Sequence, residues 1–277
     1  MKPWVLLVAA VCVLGCSKSS EQSLAKAKEH AGELVRTAER DVAEVRSGLP
    51  EGARQLSELA GDATALGDAQ EVKRALDRAR NKVQDLRVAK STFFAWVDPQ
   101  GTVVRTDQEQ DLLAGKNLFA SFPELRKALS GARVETVGSM PEAAEVAGRK
   151  DGQWLCAVPV SNAGSVRALY VTGWSWSAYA YRLENALRGS VQSSIGDKVK
   201  MPLLYVYMVA GDAVHGAPVA PEVNAKAIAG QAPLTKLAAD GRFSTEIEIT
   251  GRSFALAVQK APVFGSKVAI AVLRSET

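Results

Sequence analysis

Histidine, cysteine and paired carboxylates are the side chains most able to do chemistry, so their placement comes first. There are two histidines. His30 stands in a charged stretch that reads as helix and is expected to be solvated. His215 is expected on the surface of a short strand or turn. Neither has Cys, Asp or His partners at the spacing a metal site requires. The 30 acidic residues are scattered, so no acid–base pair is marked out. No glycine-rich phosphate loop, serine elbow or zincin helix is present. Cys156 lies in the apolar run "WLCAVPV" and reads as a small buried hydrophobe, with no neighbouring His or cation to activate it. The chain is not expected to be an enzyme, and no cofactor or metal is expected.

Cys16 differs because of what precedes it. Lys2 supplies a positive charge, Trp4 to Leu14 is an uninterrupted apolar run, and Gly15 is small. The run is too short to span a bilayer stably and suits a secretory leader. Its ending "VLGC" resembles the lipobox of bacterial lipoproteins. That resemblance implies removal of residues 1–15 and acylation of Cys16, palmitate included, with the protein facing the periplasm. Ser17, where an Asp would retain such a protein at the inner membrane, favours the outer membrane. Several acyl chains anchor stably, since each buried methylene contributes about 0.8 kcal/mol. With Cys12 removed and Cys16 acylated, only Cys156 remains, and no internal disulfide can form.

The remaining elements are those of a globular protein. The chain is 47% hydrophobic and 23% charged, and its net charge of +4 is dispersed. No basic block marks a nucleic-acid footprint. Residues 18 to about 90 carry apolar positions three and four apart, as in Leu24, Ala27, Ala31 and Leu34, and again in Val72, Leu76, Ala79, Val83 and Leu86. This is the stripe of amphipathic helix. "SGLPEG" at 47–52 is expected to interrupt it, with "GD" at 67–68 a weaker break.

Beyond residue 91 the pattern changes period. "FFAWV" and "TVVRT" flank "DPQG", whose Pro and Gly suit a type I turn between antiparallel strands. Short helices and three further strand candidates follow. The same order recurs after residue 201, and "GQWLCAVPV" aligns with "GRSFALAVQ" after a one-residue slip. This reads as a remote duplication, with "SWSAYAYRLENALRGSVQSSI" as a connecting helix. The expected fold class is α+β: long N-terminal helices, then two tandem modules, each a five-stranded antiparallel sheet with short helices.

The first copy resembles the extracellular Cache domains of bacterial chemoreceptors and sensor kinases, whose fold is PAS-like. The residues that carry the resemblance are Asp98, Gly101, Gly115, Lys116 and Ala128-Leu129-x-Gly131. Over residues 72–277 it implies a double Cache region. The Arg-x-Trp-Tyr arrangement of amino-acid-binding members is not found, and neither a second membrane helix nor a signalling domain is expected after the second copy. The expected layout is a leader over 1–15, a helical stalk over 16–90, a first module over 91–174, a connecting helix over 175–200 and a second module over 201–277.

In a domain of this kind the ligand lies between sheet and helices. The candidates are Trp96, Arg105, Asp107, Trp154 and Tyr170, with aromatics as walls and Arg105 or Asp107 fixing a polar end. Core packing would equally explain the aromatics, since both faces of "FFAWV" read as covered. The function implied is a lipid-anchored periplasmic sensory or ligand-binding accessory. It has a small-molecule ligand, passes its state to a separate membrane or periplasmic protein, and contacts lipid through Cys16 but no nucleic acid. The alternative is an envelope interaction or structural lipoprotein with no small-molecule ligand.

Overall fold

The computed structural model describes residues 9–140, 151–196 and 199–276, with side chains from residue 20 onward except Ala63. Residues 1–8 of the leader lie outside the described residues. The side chain of Cys16 does too, so its acylation is not addressed by the coordinates.

The chain divides into two compact units. One comprises Thr37–Tyr179 with Val263–Gly265. The other comprises the residues up to Arg36, Ala180–Pro262 and those from Ser266 on. Each contains one five-stranded antiparallel sheet.

The sheet of the first unit is built from β1 (Phe93–Val97), β2 (Val103–Thr106), β3 (Val134–Gly138), β4 (Gln153–Asn162) and β5 (Ser165–Ser175), in the order β2-β1-β5-β4-β3. The Asp98–Gly101 turn forms as expected. Gly101 N donates to Asp98 O at 2.9 Å, and Asp98 Oδ1 accepts from Gln100 N and Thr102 N. Gly101 has φ +90°, and a Cβ there would meet the Phe119 ring at 2.4 Å, so only glycine fits. Gly115 N donates to Val103 O, and Lys116 O accepts from Val103 N. Asp98, Gly101, Gly115 and Lys116 are therefore turn and pairing residues of the hairpin, whereas Ala128-Leu129-x-Gly131 closes the 3₁₀ helix that follows.

One face of this sheet is apolar throughout. Phe93, Ala95, Val97, Leu155, Leu169 and Val171 pack against Phe119, Phe122 and Leu125, from α5 (Leu118–Ser121) and the 3₁₀ helix Pro123–Ser130. The opposite face meets the N-terminal helices: the later part of α1 (Ala9–Gln55), α3 (Ala69–Lys82) and α4 (Gln84–Val88). Asp62 and Asp68 accept from backbone N–H groups at the starts of α2 (Ala63–Leu66) and α3, so residues 62–68 do break the helix.

The expected interruption at 47–52 does not occur. Helix α1 continues through Pro50 to Gln55. Pro50 cannot donate to the carbonyl of Arg46, and that carbonyl instead accepts from Arg133 Nη1 at 3.3 Å. Gly48 and Gly52 serve approach, not flexibility. A Cβ on Gly52 would meet Leu86 Cδ1 and Tyr170 Cε1, each at 2.6 Å, and one on Gly48 would meet Leu86 Cδ2 at 2.8 Å. Local propensity is overridden by packing.

The other unit repeats the sheet with β6 (Leu203–Ala210), β7 (Ala213–Gly216), β8 (Arg242–Ile249), β9 (Arg252–Lys260) and β10 (Val268–Ser275), in the matching order β7-β6-β10-β9-β8. Strands β4 and β9 occupy equivalent places, as the "GQWLCAVPV" and "GRSFALAVQ" alignment requires. Helix α7 (Glu222–Gly230) covers one face through Ile228. On the other face, Glu184 of α6 (Trp176–Ile195) accepts from Val206 N at 3.0 Å. His30 is not solvated: it is buried, with Nε2 3.1 Å from Arg274 Nη1. Cys156 is buried and free.

Candidate functional site

The candidate residues share one sheet face because of a register shift. Arg105 sits opposite Trp96, and Val103 opposite Val97, with a bulge between. Simple alternation would put Val103 and Arg105 on the same side; the bulge sends Val103 to the apolar core and turns Arg105 to the helix-covered face. Trp96 also pairs with Tyr170 of β5. Arg105, Trp96 and Tyr170 thus form one row across three strands, and Asp107 lies beside Phe94 at its end.

The polar centre of this face is a charge pair. Arg80 Nη1 donates to Asp107 Oδ2 at 2.9 Å, and Asp107 Oδ1 accepts from Phe94 N at 2.8 Å. The Arg80 guanidinium lies over the Phe94 ring at 5.1 Å, and that ring stacks on Tyr170 at 5.7 Å. Asp107 is buried whereas Arg80 reaches solvent. Burial pushes the Asp107 carboxyl above its ordinary value, outweighing the Phe94 N–H and the Arg80 charge. The Tyr170 phenol is pushed well up, by burial first and by Asp107 second. Its hydroxyl has no hydrogen-bond partner, so a buried donor remains unspent beside a carboxylate.

A second pair adjoins the first. Arg105 Nη1 meets Asp111 Oδ2 at 3.1 Å, and Arg105 Nη2 donates to Gln108 O. Asp111 also accepts from Thr106 N, Leu113 N and Ala114 N, which fixes the loop after β2. Arg105 Nε is buried without a partner. Lys73 on α3 reaches Asp77 and Glu109 at 3.1 and 3.0 Å. Chemically this is an edge of three cations paired with four carboxylates, with two buried donors left unspent behind an aromatic wall.

Trp96, Arg105, Asp107 and Tyr170 are therefore neighbours, but Trp154 is not with them. It pairs with Trp174, four residues along β5 from Tyr170 and thus about 13 Å away. There it belongs to an aromatic cluster with Trp174 at 4.6 Å and Phe264 at 6.0 Å. Trp174 stacks on Tyr179, whose hydroxyl donates to Asp41 at 2.8 Å. Arg80 is the site residue that sequence reading missed, because an arginine on an amphipathic helix reads as a solvated face. Among the described residues, no group of three or more His, Cys, Asp or Glu is placed to hold a metal, and no helix is long and apolar enough to cross a membrane.

No family model and no curated protein matches the chain. Solved structures do match over nearly its whole length. The extracellular domain of vpHK1S-Z8, assigned to the histidine kinases, superposes with TM-score 0.61 at 9% identity, covering 94% of this chain and 93% of that one. A domain of a Vibrio parahaemolyticus protein assigned to the sensory box/GGDEF family gives 0.56 at 10% identity, covering 94% and 98%. The ligand-binding domain of the Campylobacter jejuni chemoreceptor Tlp3, in complex with 4-methylisoleucine, gives 0.50 at 10% identity, covering 93% and 92%. At such identities the likeness is one of architecture: the chain has the tandem PAS-like fold of extracellular sensor domains, two five-stranded sheets following a long N-terminal helix.

Proposed function

We propose that this chain is the sensory part of an envelope signalling pair. It is a lipoprotein held through acylated Cys16, facing the periplasm from the outer membrane, that binds a ligand and passes its state to a separate membrane partner without catalysis. The division follows the sequence: leader to residue 15, helical stalk to 90, sensor modules over 91–174 and 201–277, and a connecting helix between them. The observation that carries the reading is the tandem fold, whose structural neighbours include the extracellular domain of a protein assigned to the histidine kinases, a domain of a protein assigned to the sensory box/GGDEF family and a chemoreceptor ligand-binding domain described with a small ligand bound.

Within this reading the ligand contacts the Arg80–Asp107 edge. Tyr170 and Arg105 contribute their unspent donors, and Trp96 forms the wall. Trp154 serves the adjoining aromatic cluster. A second reading, an envelope lipoprotein that binds only protein, draws support from the burial of Trp96, Trp154 and Tyr170, each at most 2% exposed. Thermal shift of the chain and of Arg80→Gln against a metabolite library tests the choice. A ligand at a hundred times its Kd stabilises by about 2.7 kcal/mol, and the sensory reading expects one chemical class to do so in the parent and not in the variant. A flat library, together with cross-linking to one envelope protein, favours the second reading.

A further inference from the structure

The second sheet carries a cup of its own, apart from the first-sheet cluster. Where β8 begins, β9 ends and β10 begins, a cup of about 340 Å³ is lined by Leu234, Leu237, Ala238, Ala239, Gly241, Lys260, Ser266 and Lys267. Every lining residue belongs to the same unit. Leu234 and Leu237 are half-buried and pack on the sheet core, so the apolar floor of the cup is a continuation of that core. The wall is fixed by backbone pairing: Lys260 N donates to Gly241 O at 2.8 Å, and Ala238 N to Arg242 O at 2.9 Å. The volume lies at the lower end of small-molecule sites, about 300–1,000 Å³.

The charge around this floor is one-sided. Lys260 and Lys267 line the cup, and among the described residues neither has an acidic partner. Lys236 lies nearby, over the Phe243 ring at 5.5 Å. The acid of this loop, Asp240, is directed at Arg242 at 3.9 Å, and the lining itself contains no carboxylate. An apolar floor under a cationic rim rejects cations and hydrated inorganic ions, and it rewards a molecule with both an anionic head and an apolar body. Lysine offers a point charge and not a bidentate fork, which suits a carboxylate without demanding a planar approach.

We infer that this cup binds an amphiphilic monoanion, a carboxylate on a short unbranched apolar chain, independently of the first-sheet site. The test is titration of the full chain, with leucine methyl groups labelled for NMR, with hexanoate, hexanamide and inorganic phosphate. Saturable shifts of Leu234 and Leu237 with hexanoate are expected. Lys260→Gln with Lys267→Gln should weaken binding about tenfold, as loss of two partly exposed cations does. Ala239→Phe, on an exposed position, should block the cup and abolish the shifts while leaving the remaining leucine methyl signals in place. Hexanamide and phosphate should each bind at least about tenfold more weakly than hexanoate, since each lacks one half of the match. The inference is overturned if hexanoate leaves Leu234 and Leu237 unmoved, if the double lysine variant binds as the parent does, or if phosphate binds as tightly as hexanoate.

Discussion

Truncating Leu86 should be among the most costly single changes in the first unit. Leu86 is fully buried. Its methyl groups fill the gap left by two glycines of α1, since a Cβ on Gly48 or Gly52 would stand 2.8 or 2.6 Å from them. Leu86→Ala removes three carbons, about 2.4 kcal/mol in transfer terms. The cavity adds to this, and buried Leu→Ala changes span about 2.7–5.0 kcal/mol. With backbone and not side chain forming that wall, little can relax inward, so about 3–4 kcal/mol is expected. Gly52→Ala alone gains about 1 kcal/mol of helix propensity but forces a methyl onto Leu86 and Tyr170, at about 1–3 kcal/mol. Combined with Leu86→Ala, that methyl enters the vacated space, so the double variant should be more stable than the sum by about 1 kcal/mol. Urea denaturation followed by tryptophan fluorescence reads this unit selectively, because Trp96, Trp154, Trp174 and Trp176 all belong to it. A Leu86→Ala protein within about 0.5 kcal/mol of the parent, the range of an ordinary surface substitution, would refute the packing argument and leave the preceding helices as a spacer.

Three other outcomes follow from named residues. Asp107→Ala should cost about 1–3 kcal/mol by leaving the buried Phe94 N–H unpaired, with little added for Arg80, which reaches water; an unchanged urea midpoint would exclude Asp107 as the organiser of that edge. The His30 environment favours the neutral ring: burial first, and Arg274 second, lower its pKa from 6.5, opposed by Glu29 and Glu33 on its own helix and supplemented by Lys26, while Glu276 pairs with Arg274 across from it. The folded state therefore binds the proton less readily than the unfolded state, so this contribution is complete above about pH 6.5 and falls as pH drops below it, at no more than about 1.4 kcal/mol per pH unit. Urea unfolding followed by circular dichroism at pH 7.5 and pH 5 should show a smaller loss for His30→Gln than for the parent, and equal losses would remove His30 from the account. Cys16→Ser should abolish labelling by palmitate and release the protein from the membrane fraction; labelling that persists in the variant would show acylation elsewhere.

How much of this was legible in the sequence depends on the range of the interactions. The period-two runs, the Asp98–Gly101 turn and the Pro-opened helices are local, so ten strands in two matching sheets could be read from them. Interruption of α1 at "SGLPEG" was a local inference that failed. Glycine and proline weaken a helix alone, but here Gly48 and Gly52 admit Leu86, and Arg133 reaches the carbonyl that Pro50 leaves unpaired. His30 was misjudged for a related reason, since nothing near it in the chain foretells Arg274.

The candidate site divides in the same way. Residue type, together with the ligand position that the family resemblance implies, selected Trp96, Arg105, Asp107, Trp154 and Tyr170. The bulge at Trp96 decided that Arg105 would share a face with Trp96. The pairing register of β5 decided that Tyr170 would join them while Trp154 went to a different cluster. Arg80 entered the site from a helix 27 residues earlier than its partner Asp107. Sequence alone determined the strands and their order, because hydrogen bonding and hydrophobic period act between near neighbours, but not the continuity of α1. Only the tertiary structure decided which charged groups lost water and met one another, because burial belongs to the packed surfaces that surround a residue and not to the residue itself.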